Sequence, residues 1–269
     1  MPPAALRIAA IHNGELDQAP ARLLIDALSD QAASSSEVTD QAPFGMVPDV
    51  AELSVWRRRQ GELETQWSRY LGHPRSRLTS TLGRLAFVAK LRTSANWHSD
   101  MWKVRQVEKA VTAKHIRAWR DFLESTDAEL LVLESDAGLT DSTTAAIGRL
   151  TTAPATDPRY VNLAGGLDVR DLGIDHLIGN AWPVDTSFLE FHRPVTNTSC
   201  AYLINQPMAQ LLIEQLQQAP ADAELGIDWL FNATFLANQG TRIQCLHARP
   251  PVIVHGSLHG LTRSWHPQR

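Results

Sequence analysis

The apolar run Glu129-Leu130-Leu131-Val132-Leu133 breaks abruptly into Glu134-Ser135-Asp136-Ala137. A run so short and so uniformly apolar reads as a strand buried on both faces and delivered to a polar edge. Upstream, Leu6-Arg7-Ile8-Ala9-Ala10-Ile11 gives a first core strand over about 8–11, and an Ala/Leu-rich pattern predicts a helix over 19–33, stopped by Ser34-Ser35-Ser36. Residues 40–48 read as loop. Helices are predicted over 49–70, 76–91 and 99–123, the last with Val104, Val107, Val111, Ala118 and Phe122 at helical spacing. The second half alternates more regularly. It predicts a helix over 140–150, a strand over 159–163, a tight loop at Ala164-Gly165-Gly166 and strands over 187–191 and 200–205. A helix over 207–216 starts on Pro207, another over 228–238 closes on Gly240, and late strands fall at 242–246 and 252–254. The class is mixed α/β, a single domain over 1–269 with a helical block inserted at about 49–125.

Alternate residues of a strand point the same way, so Glu134 and Asp136 are placed to converge on one cation while Ser135 faces elsewhere. The plainer reading is a strand that has simply reached water. A second ligand-type residue sits at the end of another β-branched run, Pro250-Pro251-Val252-Ile253-Val254 leading into His255-Gly256-Ser257. An imidazole added to two carboxylates suits a divalent ion such as Mn²⁺ or Mg²⁺, with positions left for a diphosphate. Alone, His255 also reads as a satisfied histidine, and Gly256 beside it leaves backbone open to a ligand.

Several segments carry a family resemblance. Lys114-His115-Ile116-Arg117-Ala118-Trp119, followed by Leu130-Leu131-Val132-Leu133-Glu134-Ser135-Asp136, resembles glycosyltransferase family 25, in which a Ser-His-x-x-x-Trp helix feeds a strand ending in Glu-Asp-Asp. Thr196-Asn197-Thr198-Ser199-Cys200-Ala201-Tyr202-Leu203-Ile204 is similar to the family's Thr-rich entry to an Ala-Tyr-Leu-Ile strand. Ile227-Asp228-Trp229 is similar to its Asp-containing helix start, and His255-Gly256-Ser257 with Ser264-Trp265 to a later segment. The resemblance covers 112–265 in patches. Lys114 stands where the family usually has serine, and Ser135 replaces the middle acid of the triplet.

The resemblance implies a GT-A-like fold, a nucleotide-binding sheet flanked by helices. It implies an inverting hexosyltransferase that moves sugar from a nucleotide donor, UDP-linked, to a lipopolysaccharide-like or other cell-surface glycan. Asp136 and His255 are then metal ligands, Glu134 a metal or ribose contact, and Asp228 the base that takes the acceptor's proton. Asp228 also reads as a helix cap or first-turn acid. His115 is either a buried structural histidine or, as the family pattern implies, a neighbour of the donor site. Asn162, Gly165 and Gly166 form a loop where backbone approaches a ligand, or simply a turn. Trp229 is either a sugar-stacking ring or a packing residue.

Composition narrows the classes without selecting one. The 269 residues carry a formal charge of −4. Yet 15 of the 25 Lys and Arg fall within 56–120, against only Glu62, Glu64, Asp100 and Glu108. That basic block is either a solvated helical face or an attractor of an anionic or membrane-associated acceptor. No helix-turn-helix, zinc or RNA-binding pattern accompanies it, which argues against nucleic acid. Cys200 and Cys245 lie in apolar β-like contexts and read as buried thiols of a reducing compartment. With no apolar run of about 18 residues and no signal-peptide pattern, the expectation is a cytoplasmic protein, peripheral at most to the inner membrane face. Phosphate-loop, dinucleotide-loop, Cys-x-x-Cys and nucleophile-elbow patterns are missing. Two alternatives to transfer stay open: a catalytically silent sugar-nucleotide-binding or scaffold relative, suggested by Ser135, and a metal-dependent sugar-nucleotide or phosphoester hydrolase.

Overall fold

A computed structural model describes residues 5–13, 15–39, 49–72, 95–151, 155–165, 174–181, 188–257 and 259. Gly166, Ser264, Trp265, the expected helix over 76–91 and the expected loop over 40–48 lie outside them. The described chain builds one eight-stranded sheet and a small two-stranded one. The strands are β1 (Leu6–His12), β2 (Ser34–Thr39), β3 (Glu129–Glu134), β4 (Ala137–Leu139), β5 (Arg159–Asn162), β6 (Ile178–Ala181), β7 (Phe188–Phe191), β8 (Ala201–Asn205), β9 (Gln244–Ala248) and β10 (Ile253–His255). The helices are α1 (Glu15–Leu28), α2 (Val50–Tyr70), α3 (Ala95–Leu123), α4 (Thr143–Thr151), α5 (Gln206–Gln218) and α6 (Ile227–Ala237).

The main sheet runs β2-β1-β3-β8-β5-β9-β7-β6. Parallel pairing joins β2, β1 and β3, and also β5 to β9, whereas β8 and β7 run against their neighbours. The fold is therefore mixed α/β, with most strands in one sense and helices on both faces. The β3 run explains why. Leu130 and Val132 enter the core on the face covered by α3, α5 and α6, with Trp119, Phe122, Met208, Leu212 and Phe231. Leu131 and Leu133 enter the other, with Leu24 and Leu28 of α1 and Ile147 and Leu150 of α4. Each such buried side chain stabilises the fold by about 1.5–3 kcal/mol relative to exposure, so a strand serving two cores is apolar throughout.

One local expectation changes. The serines expected to stop the first helix form β2, an edge strand paired only to β1, with Val38 its one buried residue. A polar sequence suits an edge that meets water on one side. Within the helical block, Asp49 caps α2 through its side chain to Ala51 N and Glu52 N, and Ile116, Trp119 and Phe122 of α3 belong to the main core. Its charge is partly met by acids from elsewhere: Asp222 pairs with Arg59, and Glu224 with both Arg105 and Lys109. No helix among the described residues is long and apolar enough to cross a membrane.

One buried group makes folding sensitive to acid. His247 on β9 is buried, donates Nε2–H to the Val195 carbonyl at 2.9 Å, and is pushed by burial down to about 4. Below the ordinary histidine pKa the unfolded chain takes up a proton that folded His247 refuses, so this contribution is complete at neutral pH and is lost as pH falls from about 6.5 toward 4. Relative to His247→Gln, the unmodified chain is expected to lose up to about 3 kcal/mol over that interval, measured by urea unfolding at each pH. A stability difference independent of pH would contradict the assignment.

Candidate active site

Four distant segments converge beyond the ends of β1 and β3. The sequence Glu134-Ser135-Asp136 leaves β3 in a turn and re-enters as β4, which pairs antiparallel with β10 so that His255 faces Ala137. The Gly256 N–H donates to the Asp136 carbonyl at 2.8 Å, and His255 Nδ1 lies 3.5 Å from Asp136 Oδ2. On the other side β8 runs antiparallel to β3, bringing the Cys200 carbonyl to Glu134 N–H at 2.8 Å and the Cys200 thiol to Asp136 Oδ1 at 3.4 Å. The first turn of α6 adds Asp228. Glu134, Asp136, Cys200, Asp228 and His255 all border one cavity of about 740 Å³.

One oxygen, one sulfur and one nitrogen of Asp136, Cys200 and His255 lie within 4.8 Å of one another. Carboxylate and imidazole together suit a borderline divalent cation, and the thiol adds a softer donor. Burial first, then Asp136, pushes the Cys200 thiol well above its usual range, so without a cation it stays protonated. Glu134 shares the cavity, but its Oε1 is taken by His115 Nε2 at 3.1 Å. That histidine is fully buried, and Tyr202 Oη lies 2.7 Å from its other ring nitrogen and 2.9 Å from Trp119 Nε1. The indole only donates, so the polarity of the chain runs from Trp119 N–H to Tyr202, from Tyr202 O–H to His115 Nδ1, and from His115 Nε2–H to the Glu134 carboxylate. His115 is thus both a core histidine and a neighbour of the site.

Asp228 is not the cap of α6; that position is Gly226. Its carboxylate instead accepts a hydrogen bond from the Ser199 hydroxyl. Burial raises its pKa above the ordinary aspartate range, opposed by the Ser199 bond and assisted by the charge of Glu134. Trp229 borders the same cavity while packing against the Leu63, Leu225 and Ala233 cluster. Asn162 and Gly165 lie away from it. The Asn162 Oδ1 accepts from Gly165 N at 2.9 Å, and Gly165 takes φ +41°, where an added Cβ would meet Pro251 Cγ at 2.9 Å. This turn needs glycine for packing.

Three residues of the cavity were not legible as site residues. Cys200 reads from sequence as an inert buried thiol, and only the β3–β8 register sets it beside Asp136. Glu108 counts in the sequence as one of the few acids of the basic block, yet α3 turns it inward, where burial and then the charge of Asp228 raise it to about 7 against the pull of Arg105. Its spacing from Val107 and Val111 was the available signal. Lys114, fully buried, donates from Nζ to the His12 carbonyl at 3.0 Å and to Asn13 Oδ1, and so sets an ammonium in the wall of a mostly acidic cavity.

The fold and site together define a mixed α/β protein with an acidic, cation-suited cavity at its strand ends. Comparison with protein-family models returns no match for this chain, and comparison with curated proteins returns none that is significant.

Proposed function

We propose that this chain is a metal-dependent, inverting glycosyltransferase of GT-A-like architecture, moving a hexose from a nucleotide sugar, UDP-linked by resemblance, to a glycan acceptor. The observation that supports it best is the convergence on one cavity of Glu134, Asp136, Asp228 and His255, residues drawn from three separate segments that carry the resemblance to glycosyltransferase family 25. Asp136 and His255 would hold Mn²⁺ or Mg²⁺, with Cys200 in reach, and the ion when bound would counter the charge of the departing diphosphate.

The chain's own groups fill the remaining roles. Asp228, half-buried and raised in pKa, accepts the acceptor hydroxyl's proton as that oxygen attacks the anomeric carbon. The Ser199 hydroxyl fixes which way its carboxylate points. The His115–Tyr202–Trp119 chain fixes Glu134, leaving its second oxygen for a ribose hydroxyl. The Lys114 ammonium offers the diphosphate a fixed positive charge, in a position where the family's serine would supply none. Trp229 presents an aromatic surface to a sugar ring.

A thermal-shift series with nucleotide sugars, with and without Mn²⁺, tests the donor assignment. At a hundredfold excess over Kd, a ligand bound only by the folded state should raise Tm by roughly 5–10 °C, and only when metal is present. Stabilisation by none of the nucleotide sugars would overturn the reading. Product formation that needs no acceptor would convert it to hydrolysis.

A further inference from the structure

A second cavity, of about 920 Å³, lies at the opposite end of α6 from Asp228. It is bordered by the end of α2, the turn after α6, and the segments that follow β7 and precede β9. Along α6 the first cavity is bordered by Ile227, Asp228 and Trp229 and the second by Ala233 and the residues from Phe235 onward, so the two share no wall residue and stand about one helical turn apart at their nearest. Their charge is opposite. The first is bordered by Asp17, Glu108, Glu134, Asp136 and Asp228; the second by Arg59, Arg69, Arg193, Arg242 and His192, with no carboxylate in its described wall.

We infer that this second cavity is a binding site for a small polyanion bearing phosphate-type or sulfate-type oxygens. Two of its arginines are already fixed. Arg59 donates from Nε and Nη2 to buried Asp222 at 3.0 and 2.7 Å, and Arg193 donates from Nη1 to the Tyr70 carbonyl at 2.5 Å while standing 5.7 Å over the Tyr70 ring. The other two are exposed arms. Arg69 makes no ion pair among the described residues, and Arg242 reaches Asp157 only at 3.6 Å from a highly exposed position. Asp222 offsets the charge of Arg59, so the excess positive charge around the cavity rests on Arg69, Arg193 and Arg242, and a multiply charged oxyanion would offset it while accepting their planar N–H forks. The end of a helix ordinarily disfavours an anion through its free carbonyls. Here the Asn238 and Gln239 side-chain amides cover the Thr234 and Leu236 carbonyls at 2.9 and 3.0 Å.

The test is calorimetric titration with inorganic tripolyphosphate in metal-free buffer containing a chelator, which keeps the Asp136 site out of play. The unmodified chain should bind one tripolyphosphate. Arg69→Ala combined with Arg242→Ala should weaken binding by about tenfold or more, since each removes a charge-assisted contact. Both positions are exposed, and an unchanged Tm would verify that the variant folds. Asp136→Asn should bind tripolyphosphate as the unmodified chain does, which separates this site from the proposed donor site. No saturable binding, or equal affinity in the double variant, would overturn the inference.

Discussion

Asp228→Asn is expected to lower kcat by about 10²- to 10⁴-fold while leaving nucleotide-sugar affinity within a factor of a few. Among the described residues bordering the cavity, this carboxylate alone combines a raised pKa with a hydroxyl donor fixing its direction. An asparagine retains an oxygen for Ser199, so the local hydrogen bond survives and only the capacity to take a proton is lost. Gly226 occupies the capping position and Asp228 is the first-turn acid, so the substitution costs the helix only that dipole contact, about 0.3–1 kcal/mol. Steady-state kinetics together with donor binding of the variant decide the matter. Near-normal turnover in folded Asp228→Asn would leave the base elsewhere, with Glu108, whose carboxyl lies against Gly226 in the same cavity, the next group to replace.

Asp136→Asn is expected to weaken Mn²⁺-dependent UDP binding by more than about 100-fold, the upper end of what loss of a group merely supporting a ligand produces. The side chain is half-buried in the turn after β3 and asparagine matches its shape, so no core volume is removed and the thermal midpoint without ligand should stay nearly constant. Its contacts to His255 and Cys200 are long, at 3.5 and 3.4 Å, and their loss costs little. Calorimetry with UDP, with and without Mn²⁺, measures the effect. Unchanged metal-dependent affinity would remove Asp136 from the donor site and, with it, the reason to expect a cation there.

What could be read from the sequence follows the range of the forces involved. The β3 run and α5, entered through Pro207 behind the Asn205 cap, carry their own periodicity and caps and stand close to where the sequence places them. β2 does not announce itself, because a serine-rich edge strand is defined by the neighbour it pairs with and not by its own apolar content. β4 is three residues, too short for any period, and exists because it satisfies the backbone of β10, which the run Val252-Ile253-Val254 does announce to within one residue. The same holds for the site. The carboxylates at the end of β3 are visible in the sequence, and their cavity partner His255 is visible as a residue type at a strand end. Cys200 and Glu108 gain meaning only from the register of β8 and the rotation of α3. The basic block shows the limit of counting charge along a chain, since Asp222 and Glu224, about a hundred or more positions away from their partners, neutralise part of it.

The pairing of β4 with β10 also fixes when the site can exist. The Asp136 carbonyl holds Gly256 N–H, and Ile253, Val254 and His255 lie opposite Leu139, Gly138 and Ala137, contacts spanning more than a hundred residues of chain. During synthesis the eight main strands are all available once Ala248 has emerged, yet the nitrogen that faces Asp136 arrives only with residue 255. A nascent or truncated chain lacking 253–257 would therefore have the sheet without His255, so cation binding at the proposed site would report arrival of this segment rather than collapse of the core.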